Sequence, residues 1–221
     1  CLEIMEGEQI AIAGENGAGK SRLVEILTGH YPLLGDAIRY DFSPSPLKLV
    51  SENMKYIAFR DSYGDQDATY YYQQRWNQHD IDESTPTVGQ LLEDAFGKAD
   101  ESVGHGLDPR QQEALRASMQ EKREVLMRLF HLHDLYDKYI ISLSSGELRK
   151  FQLARALGSA PRMLVMDNPF VGLDSDTRIQ LCELLSSLIT QFGLQVILIV
   201  SRDVDIPDFI THVLPVAGNR L

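Results

Sequence analysis

The sequence is short of cysteine, of positive charge and of long apolar runs, and each shortage excludes a class of protein. Two cysteines among 221 residues argue against a disulfide framework and fit a reducing compartment. Lysine and arginine number 21 against 32 acidic residues, a formal net charge of −11. That balance argues against broad binding to a nucleic-acid backbone, which needs clustered positive charge. No apolar run reaches the about 18 residues that a membrane-spanning helix needs.

The apolar content is nonetheless that of a folded domain. Hydrophobic residues make up 43% of the chain, which is too many for a disordered protein and enough for a sizeable core. The length predicts one large domain or a core with an inserted lobe. The first residues include three glutamates and do not form a secretory signal. We therefore expect a cytoplasmic protein, and because the chain starts at Cys1 we expect it to be part of a longer one.

The order of apolar segments predicts an α/β core. A strand-like segment at residues 8–13 leads into a glycine-rich turn and a helical stretch over residues 20–27. Continuous apolar runs return at residues 163–167 and 196–200, as is typical of strands buried on both faces of a parallel sheet. Between these runs, residues 175–192 carry the apolar spacing of a helix, with Ile179 placed in its stripe.

The middle of the chain is predicted to be a helical insertion. Apolar residues recur at three- and four-residue spacing after Pro109, which indicates helices. We predict a core formed by residues 1–60 and 148–221, with a helical subdomain at residues 61–147. Within it, the charged run at residues 121–124 is interpreted as a solvated helix face.

Residues 14–21 read GENGAGKS and match the phosphate-loop pattern GxxxxGK[ST] in full. The glycines let the loop curl so that backbone N–H groups point at phosphate oxygens, and the following helix adds its positive end. Lys20 supplies a point charge for the β- and γ-phosphates, while the hydroxyl of Ser21 is placed to bind Mg²⁺. The strand before the loop and the helix after it are the context that the motif requires.

A phosphate-bound Mg²⁺ also needs an acid at the end of a nearby strand. Asp167 closes the apolar run at residues 163–167 and is the candidate, holding the metal directly or through water. The alternative interpretation is an aspartate that merely ends a strand at a turn. Beside the phosphate loop the metal role is favoured, so Ser21 and Asp167 are predicted to form the metal site.

Residues 143–147 read LSSGE and resemble LSGGQ, the signature motif of ABC-type ATPases. Gly172-Leu173-Asp174 resembles the D-loop of the same family. The resemblance covers essentially the whole chain. It implies a P-loop NTPase fold in the α/β class, with a mainly parallel core sheet flanked by helices and an inserted α-helical subdomain.

The resemblance also implies a mechanism. Two such domains pair head to tail, and ATP with Mg²⁺ lies between the phosphate loop of one and the signature motif of the other. The implied partner is a second ABC ATPase domain, either fused to this chain or present as a homodimer. The residues implied to bind nucleotide are Gly14, Asn16, Gly17, Ala18, Gly19, Lys20, Ser21, Arg22, Ser144, Ser145, Gly146, Glu147 and Asp174.

Three positions depart from the family pattern. The glutamate that activates the attacking water is replaced by Asn168, whose amide can hold water but cannot accept its proton near neutral pH. The switch histidine is replaced by Arg202, a permanent cation. The expected glutamine corresponds to Arg60, with Gln66 and Gln73 as alternatives. We therefore predict good Mg-ATP binding and slow hydrolysis. The catalytic positions are Lys20, Asp167, Asn168 and Arg202.

The tyrosine-rich residues 61–76 resemble soluble tandem ABC proteins of the ModF and photorepair type. That resemblance implies the first of two fused ATPase domains. The alternative for these tyrosines is packing under the helical lobe, and the local charge disfavours a platform for nucleic-acid bases. Two other functions stay open: the ATPase subunit of a membrane transporter, bound to a permease at the inner face of the membrane, and a nucleotide-binding regulatory domain with negligible turnover.

Overall fold

The computed structural model describes residues 3–31, 38–59 and 85–217. The chain divides into two compact units, one formed by Cys1–Phe59 with Pro161–Leu221 and the other by Arg60–Ala160. The predictions about Arg60, Gln66, Gln73 and residues 61–76 lie outside the described residues. Within those described, no helix combines the length and apolar character needed to cross a membrane.

The first unit is built on a five-stranded parallel sheet within the described residues. Its strands follow the order β2-β3-β4-β1-β5, and every neighbouring pair is parallel. The predicted parallel core is therefore confirmed. The strands are β1 (Ile10–Ala13), β2 (Met54–Ala58), β3 (Met163–Asp167), β4 (Gln195–Val200) and β5 (His212–Pro215).

The described helices lie in segments where apolar residues recur every three or four positions. The helices at residues 20–27 and 175–192 begin and end where the sequence predicts. The helices are α1 (Lys20–Leu27), α2 (Val50–Asn53), α3 (Val88–Ser102), α4 (Pro109–Leu129), α5 (Ser145–Leu157) and α6 (Ser175–Phe192). The first, second and last of these belong to the first unit, and the other three to the second.

The register of the central strands gathers their carboxyl ends at one edge of the sheet. Ala13 pairs with Val200, and Asp167 pairs with Ile199. Since parallel strands end on the same edge, the residues that follow β1, β3 and β4 emerge side by side. Apolar side chains along these strands are buried, and Ile12 and Ile197 are each 1% exposed. Because they pack in the core, they hold this edge of the sheet in position.

The second unit is helical in its described part, and α5 belongs to it. The prediction places residues from 148 onward in the core, whereas the chain returns to the first unit at Pro161. The reason is packing, because α5 contacts α3 and α4. On α5, Phe151, Leu153 and Leu157 are buried. The other break falls between residues 59 and 60, one residue before the expected limit.

One charged residue of α4 is buried, contrary to the expected solvated face. Arg123 is 4% exposed. Its guanidinium donates to both carboxylate oxygens of Asp100 at 2.9 and 2.8 Å and to the Gly158 carbonyl at 2.7 Å. It also lies over the ring of Phe96, 4.7 Å from the centroid. The side chain therefore joins α3, α4 and the end of α5.

Candidate functional site

The phosphate loop connects β1 to α1 and depends on its glycines. A Cβ atom on Gly14 would lie 2.2 Å from the carbonyl oxygen of Val216, so only glycine fits there. Gly17 and Gly19 have φ values of 84° and 94°, a left-handed region that favours glycine. Gly19 precedes α1 and supplies no side-chain cap, which leaves the first-turn N–H groups of the helix for an anion.

Lys20 is held against the backbone of this loop. It is 5% exposed, and its Nζ donates to the carbonyl oxygens of Gly14 at 2.7 Å and Glu15 at 2.8 Å. Burial lowers the pKa of Lys20, and the carboxylate of Asp167 opposes this shift. The structure thus places a buried amine at the base of the loop, next to the acid that ends β3.

Among the described residues, the side chains of Ser21, Tyr56 and Asn168 donate hydrogen bonds to the carboxylate of Asp167, which is 1% exposed. Ser21 Oγ lies 2.7 Å and the Tyr56 hydroxyl 3.1 Å from Oδ2, and Asn168 Nδ2 lies 2.8 Å from Oδ1. The sequence does not mark Tyr56. Only the adjacency of β2 and β3 reveals its place, because strand order cannot be read from one apolar run.

The chemistry of this cluster fits a magnesium ion. Mg²⁺ prefers hard oxygen donors and is usually held by one or two protein groups together with substrate phosphates. The hydroxyl of Ser21 and the carboxylate of Asp167 are such donors, and they lie within hydrogen-bond distance beside the phosphate loop. The predicted metal pair is thus brought together.

A set of neutral side chains lies at the same edge of the sheet. Ser201 follows β4, and its hydroxyl lies 2.7 Å from Asn16 Oδ1 and 3.4 Å from Asn168 Oδ1. Asn168 has a φ of 53°, a region that asparagine enters more readily than most residues. No sequence motif marks Ser201, although its place directly after a buried strand is a usable signal.

Arg202 is engaged by an acid of its own loop. Its Nε and Nη2 donate to Asp205 at 2.9 and 3.1 Å. Asp205 is 8% exposed and also accepts from Nη1 of Arg178 on α6 at 2.7 Å. The guanidinium at the expected switch position is therefore already paired with a carboxylate.

The signature residues begin α5 in the second unit. Ser144 caps this helix by accepting from the Glu147 N–H at 3.2 Å, and Glu147 Oε2 accepts from the Ser144 N–H at 2.8 Å. Glu147 Oε1 also pairs with Lys138 Nζ at 2.7 Å. The hydrogen bond from Lys138 is the first cause of a lowered pKa at Glu147. Ser145 and Gly146 are the first two residues of the helix.

Ala18 is buried, whereas Asp174 and Arg22 are exposed. Asp174 caps α6 by accepting from Thr177 N and Thr177 Oγ1, both at 2.8 Å. The backbone hydrogen bond from Thr177 is the first cause of a lowered pKa at Asp174. Arg22, in the first turn of α1, has its guanidinium carbon 6.0 Å from the ring centroid of Tyr31.

The profile of the ABC transporter family matches residues 1–171. The chain belongs to this family. It is therefore an ABC ATPase domain, which confirms the family that the signature segment suggests. ModF of Escherichia coli K12, an ABC transporter ATP-binding protein, is 31% identical over 209 residues, which cover 95% of this chain and 36% of ModF. The chain thus spans about a third of the length of that relative.

Solved ABC proteins share the fold. The structure of cbiO1 from Clostridium perfringens, described as part of the ABC transporter complex cbiONQ, matches with a TM-score of 0.67 and 22% identity, over 99% of this chain and 77% of that chain. The ATP-binding cassette MJ0796, a dimeric post-hydrolysis state bound to ADP and Pi, gives a TM-score of 0.58 and 17% identity, over 99% of this chain and 84% of that chain.

Proposed function

We propose that this ABC domain binds Mg-ATP at residues 14–21, hydrolyses it slowly and pairs head to tail with a second ABC domain. The observation that carries the proposal is the 2.7 Å hydrogen bond from Ser21 to Asp167. Next to Asp167, the neutral Asn168 stands where the family has the glutamate that activates the attacking water. The residues assigned to the phosphates, from the loop and the first turn of α1, are Gly14, Asn16, Gly17, Ala18, Gly19, Lys20 and Arg22.

Ser21 and Asp167 are the residues assigned to the metal. A bound Mg²⁺ supplies neutralisation of the charge on the β- and γ-phosphates. Asp167 orients the Ser21 hydroxyl by accepting from it. Lys20, which is 5% exposed, adds a positive charge that little water surrounds, so its attraction for phosphate is weakly screened.

Slow turnover follows from the residues around the attacking position. Asn168 and Ser201 can orient a water through their oxygens, but neither accepts a proton at neutral pH. A positioned base is worth about 10²- to 10⁴-fold in rate. Arg202 is paired with Asp205 at 2.9 Å, which argues for a structural role in this chain, with contact to the γ-phosphate requiring that the pair open.

Pairing is proposed from the signature residues and from the relatives. Ser144, Ser145, Gly146 and Glu147 begin a helix, which gives an N-terminal end suited to a phosphate of the partner's nucleotide. We assign Asp174 to the proposed interface. This chain covers 36% of ModF, a length that leaves room in such a protein for a second ABC domain. We therefore propose a cytoplasmic protein with two fused ABC domains, of which this chain is the first.

The alternative is the ATPase subunit of a membrane transporter, bound peripherally to a permease. The fold shared with cbiO1, described as part of a transporter complex, favours it. A regulatory domain with negligible turnover is a further alternative, favoured by Asn168. Co-purification with a membrane protein supports the transporter, and a second GxxxxGK[ST] with its own signature downstream supports the tandem protein.

ATP binding is tested by isothermal titration of the purified protein with Mg-ATP. We expect Lys20→Ala to weaken binding by about 100-fold, because the lost charge faces phosphate in a site with little water. Lys98→Ala is the control, since that side chain is 73% exposed on α3 and should leave affinity unchanged. No binding by the wild type, or equal affinity for wild type and Lys20→Ala, refutes the proposal.

A further inference from the structure

Tyr56 contacts Asp167, the acid of the proposed metal site, although no phosphate-loop or signature motif includes it. It lies on β2, in register with Val165 of β3. Its hydroxyl is 3.1 Å from Asp167 Oδ2, the oxygen that also accepts from Ser21 at 2.7 Å. The side chain is half-buried. The ring meets the edge of His30, with centroids 6.2 Å apart at 72°, which restricts the direction of the hydroxyl.

The hydrogen bond from Tyr56 helps to hold the carboxylate of Asp167 in one orientation. Asn168 holds Oδ1 at 2.8 Å, while Tyr56 and Ser21 share Oδ2. The Phe59 N–H also donates to the backbone carbonyl of Asp167 at 3.0 Å, which fixes the end of β2 beside the end of β3. A carboxylate bound on both oxygens cannot rotate freely, so Ser21 meets it in one orientation.

We propose that Tyr56 is a positioning residue of the magnesium site. The inference rests on the proposed function and adds a residue to it. Tyr56 holds Asp167 in the orientation that directs the Ser21 hydroxyl, so a metal entering with nucleotide meets an ordered pair. Hydrogen-bond partners of metal-site groups typically contribute about 10- to 100-fold to metal affinity. Because Tyr56 acts through Asp167, we expect loss of its hydroxyl to lower the affinity for Mg²⁺ by about 10-fold.

The test is the Mg²⁺ dependence of nucleotide binding in Tyr56→Phe, which removes the hydroxyl and keeps the ring. Binding of a fluorescent ATP analogue is measured first in EDTA and then at rising Mg²⁺, and Mn²⁺ binding to the ADP complex is measured by electron paramagnetic resonance. We expect the metal concentrations for half-saturation to rise about 10-fold in both measurements, with unchanged affinity in EDTA. Unchanged affinity in EDTA also shows that the variant folds.

Tyr40→Phe is the matched control. Its hydroxyl donates to the carbonyl of Leu27 at 3.0 Å, away from Asp167, so its metal dependence should equal that of the wild type. In an Asp167→Ala background, adding Tyr56→Phe should cause no further loss of metal affinity, because the group that Tyr56 positions is gone.

The outcomes separate this inference from the proposed function. A wild type that binds no nucleotide overturns both. A wild type that binds Mg-ATP, with a Tyr56→Phe variant of equal metal dependence, overturns the role of Tyr56 alone. A loss of the same size in Tyr40→Phe, in EDTA, or in the Asp167→Ala background also overturns it, since a general loss of folding would produce those results.

Discussion

At the scale of single residues, burial decides which charged side chains contribute strongly to folding stability. Arg123 and Lys98 both pair with aspartates of α3, but Arg123 is 4% exposed and Lys98 has a side chain that is 73% exposed. A buried cation that loses its partners, or whose removal leaves carbonyls unpaired, changes stability far more than an exposed pair does.

Arg123→Met should therefore destabilise the protein by about 3 kcal/mol, because Asp100 and the Gly158 carbonyl lose their donors. Lys98→Met should cost under about 0.5 kcal/mol, as expected for an exposed i,i+4 pair. Urea unfolding of both variants measures the difference. Equal losses would show that the contacts of Arg123 do not stabilise the fold.

We expect substitution by alanine to have opposite effects on stability at two glycines. Gly14→Ala should lower the melting temperature and weaken ATP binding, because the new Cβ would lie 2.2 Å from the Val216 carbonyl oxygen. Gly97→Ala should raise stability by about 0.5–1 kcal/mol, since Gly97 lies within α3 with open space at its Cβ position and alanine favours helix. Thermal unfolding with nucleotide titration checks both. A stable, ATP-binding Gly14→Ala variant would contradict the loop geometry.

The residues of the site differ in how far the sequence predicts them. Lys20, Ser21 and Asp167 are predictable, because a local motif and the end of an apolar run mark them. Tyr56 is not, because its contact with Asp167 exists only through the pairing of β2 with β3. Arg123 is predicted incorrectly, since a charged residue in a charged run gives no sign of the buried acceptors that it meets across three helices.

At the scale of elements, helix limits follow from local signals and helix faces follow from angular position. The limits of α1 and α6 agree with the sequence prediction. The stripe predicted on α6 included Ile179, but this residue is 57% exposed, while Leu181 and Leu188 are buried. At about 100° per residue, Ile179 lies roughly 160° around the helix from Leu181. A stripe drawn on apolar character alone is therefore wrong at that position.

The cap of α5 predicts a pH dependence. Glu147 has a lowered pKa in the fold, caused first by Lys138. Its contribution to stability is therefore fully present above the ordinary glutamate pKa of about 4.3 and is lost as the pH falls through the lower folded value. Glu147→Gln keeps the cap and removes the charge. Relative to wild type it should lose on the order of 1 kcal/mol at pH 7.

That difference should shrink as the pH falls below about 4. Urea unfolding of wild type and Glu147→Gln across this range measures it. Lys138→Met is the control background, in which the same substitution should have a smaller effect at neutral pH. If the difference in unfolding free energy stays constant with pH, or is unaltered in the Lys138→Met background, the Glu147–Lys138 pair is not the cause of the pH dependence.

At the scale of the whole molecule, we expect ATP to drive the pairing of two domains. Because slow hydrolysis prolongs the ATP-bound state, this domain, expressed without a fused partner, should pair with itself in Mg-ATP and stay monomeric in Mg-ADP. Light scattering coupled to size-exclusion chromatography measures the mass. Ser145→Glu should abolish the dimer and preserve ATP binding, because it adds negative charge where the partner's nucleotide is proposed to lie. A mass independent of nucleotide would contradict head-to-tail pairing of this chain with itself.

The fold and family of the molecule are predictable from sequence because motif order and apolar runs are local properties. The assignment of α5 to the second unit is less so, since it depends on side chains such as Phe151 and Leu157 packing against other helices. Net charge predicts little about the site. The chain carries a formal charge of −11, yet backbone N–H groups and a buried Lys20 form a site suited to an anion.

Slow hydrolysis caused by Asn168 is tested by the steady-state ATPase rate of Asn168→Glu beside that of Asn168→Gln. Glutamate supplies the proton acceptor that asparagine lacks, and glutamine has the same length without being a base. Glutamate should raise the rate by about 100-fold or more, even though the φ of 53° at this position strains a longer side chain. Glutamine should leave the rate at the wild-type level. Equal rates for the two variants, or a wild type as fast as Asn168→Glu, would contradict the proposal that Asn168 slows hydrolysis.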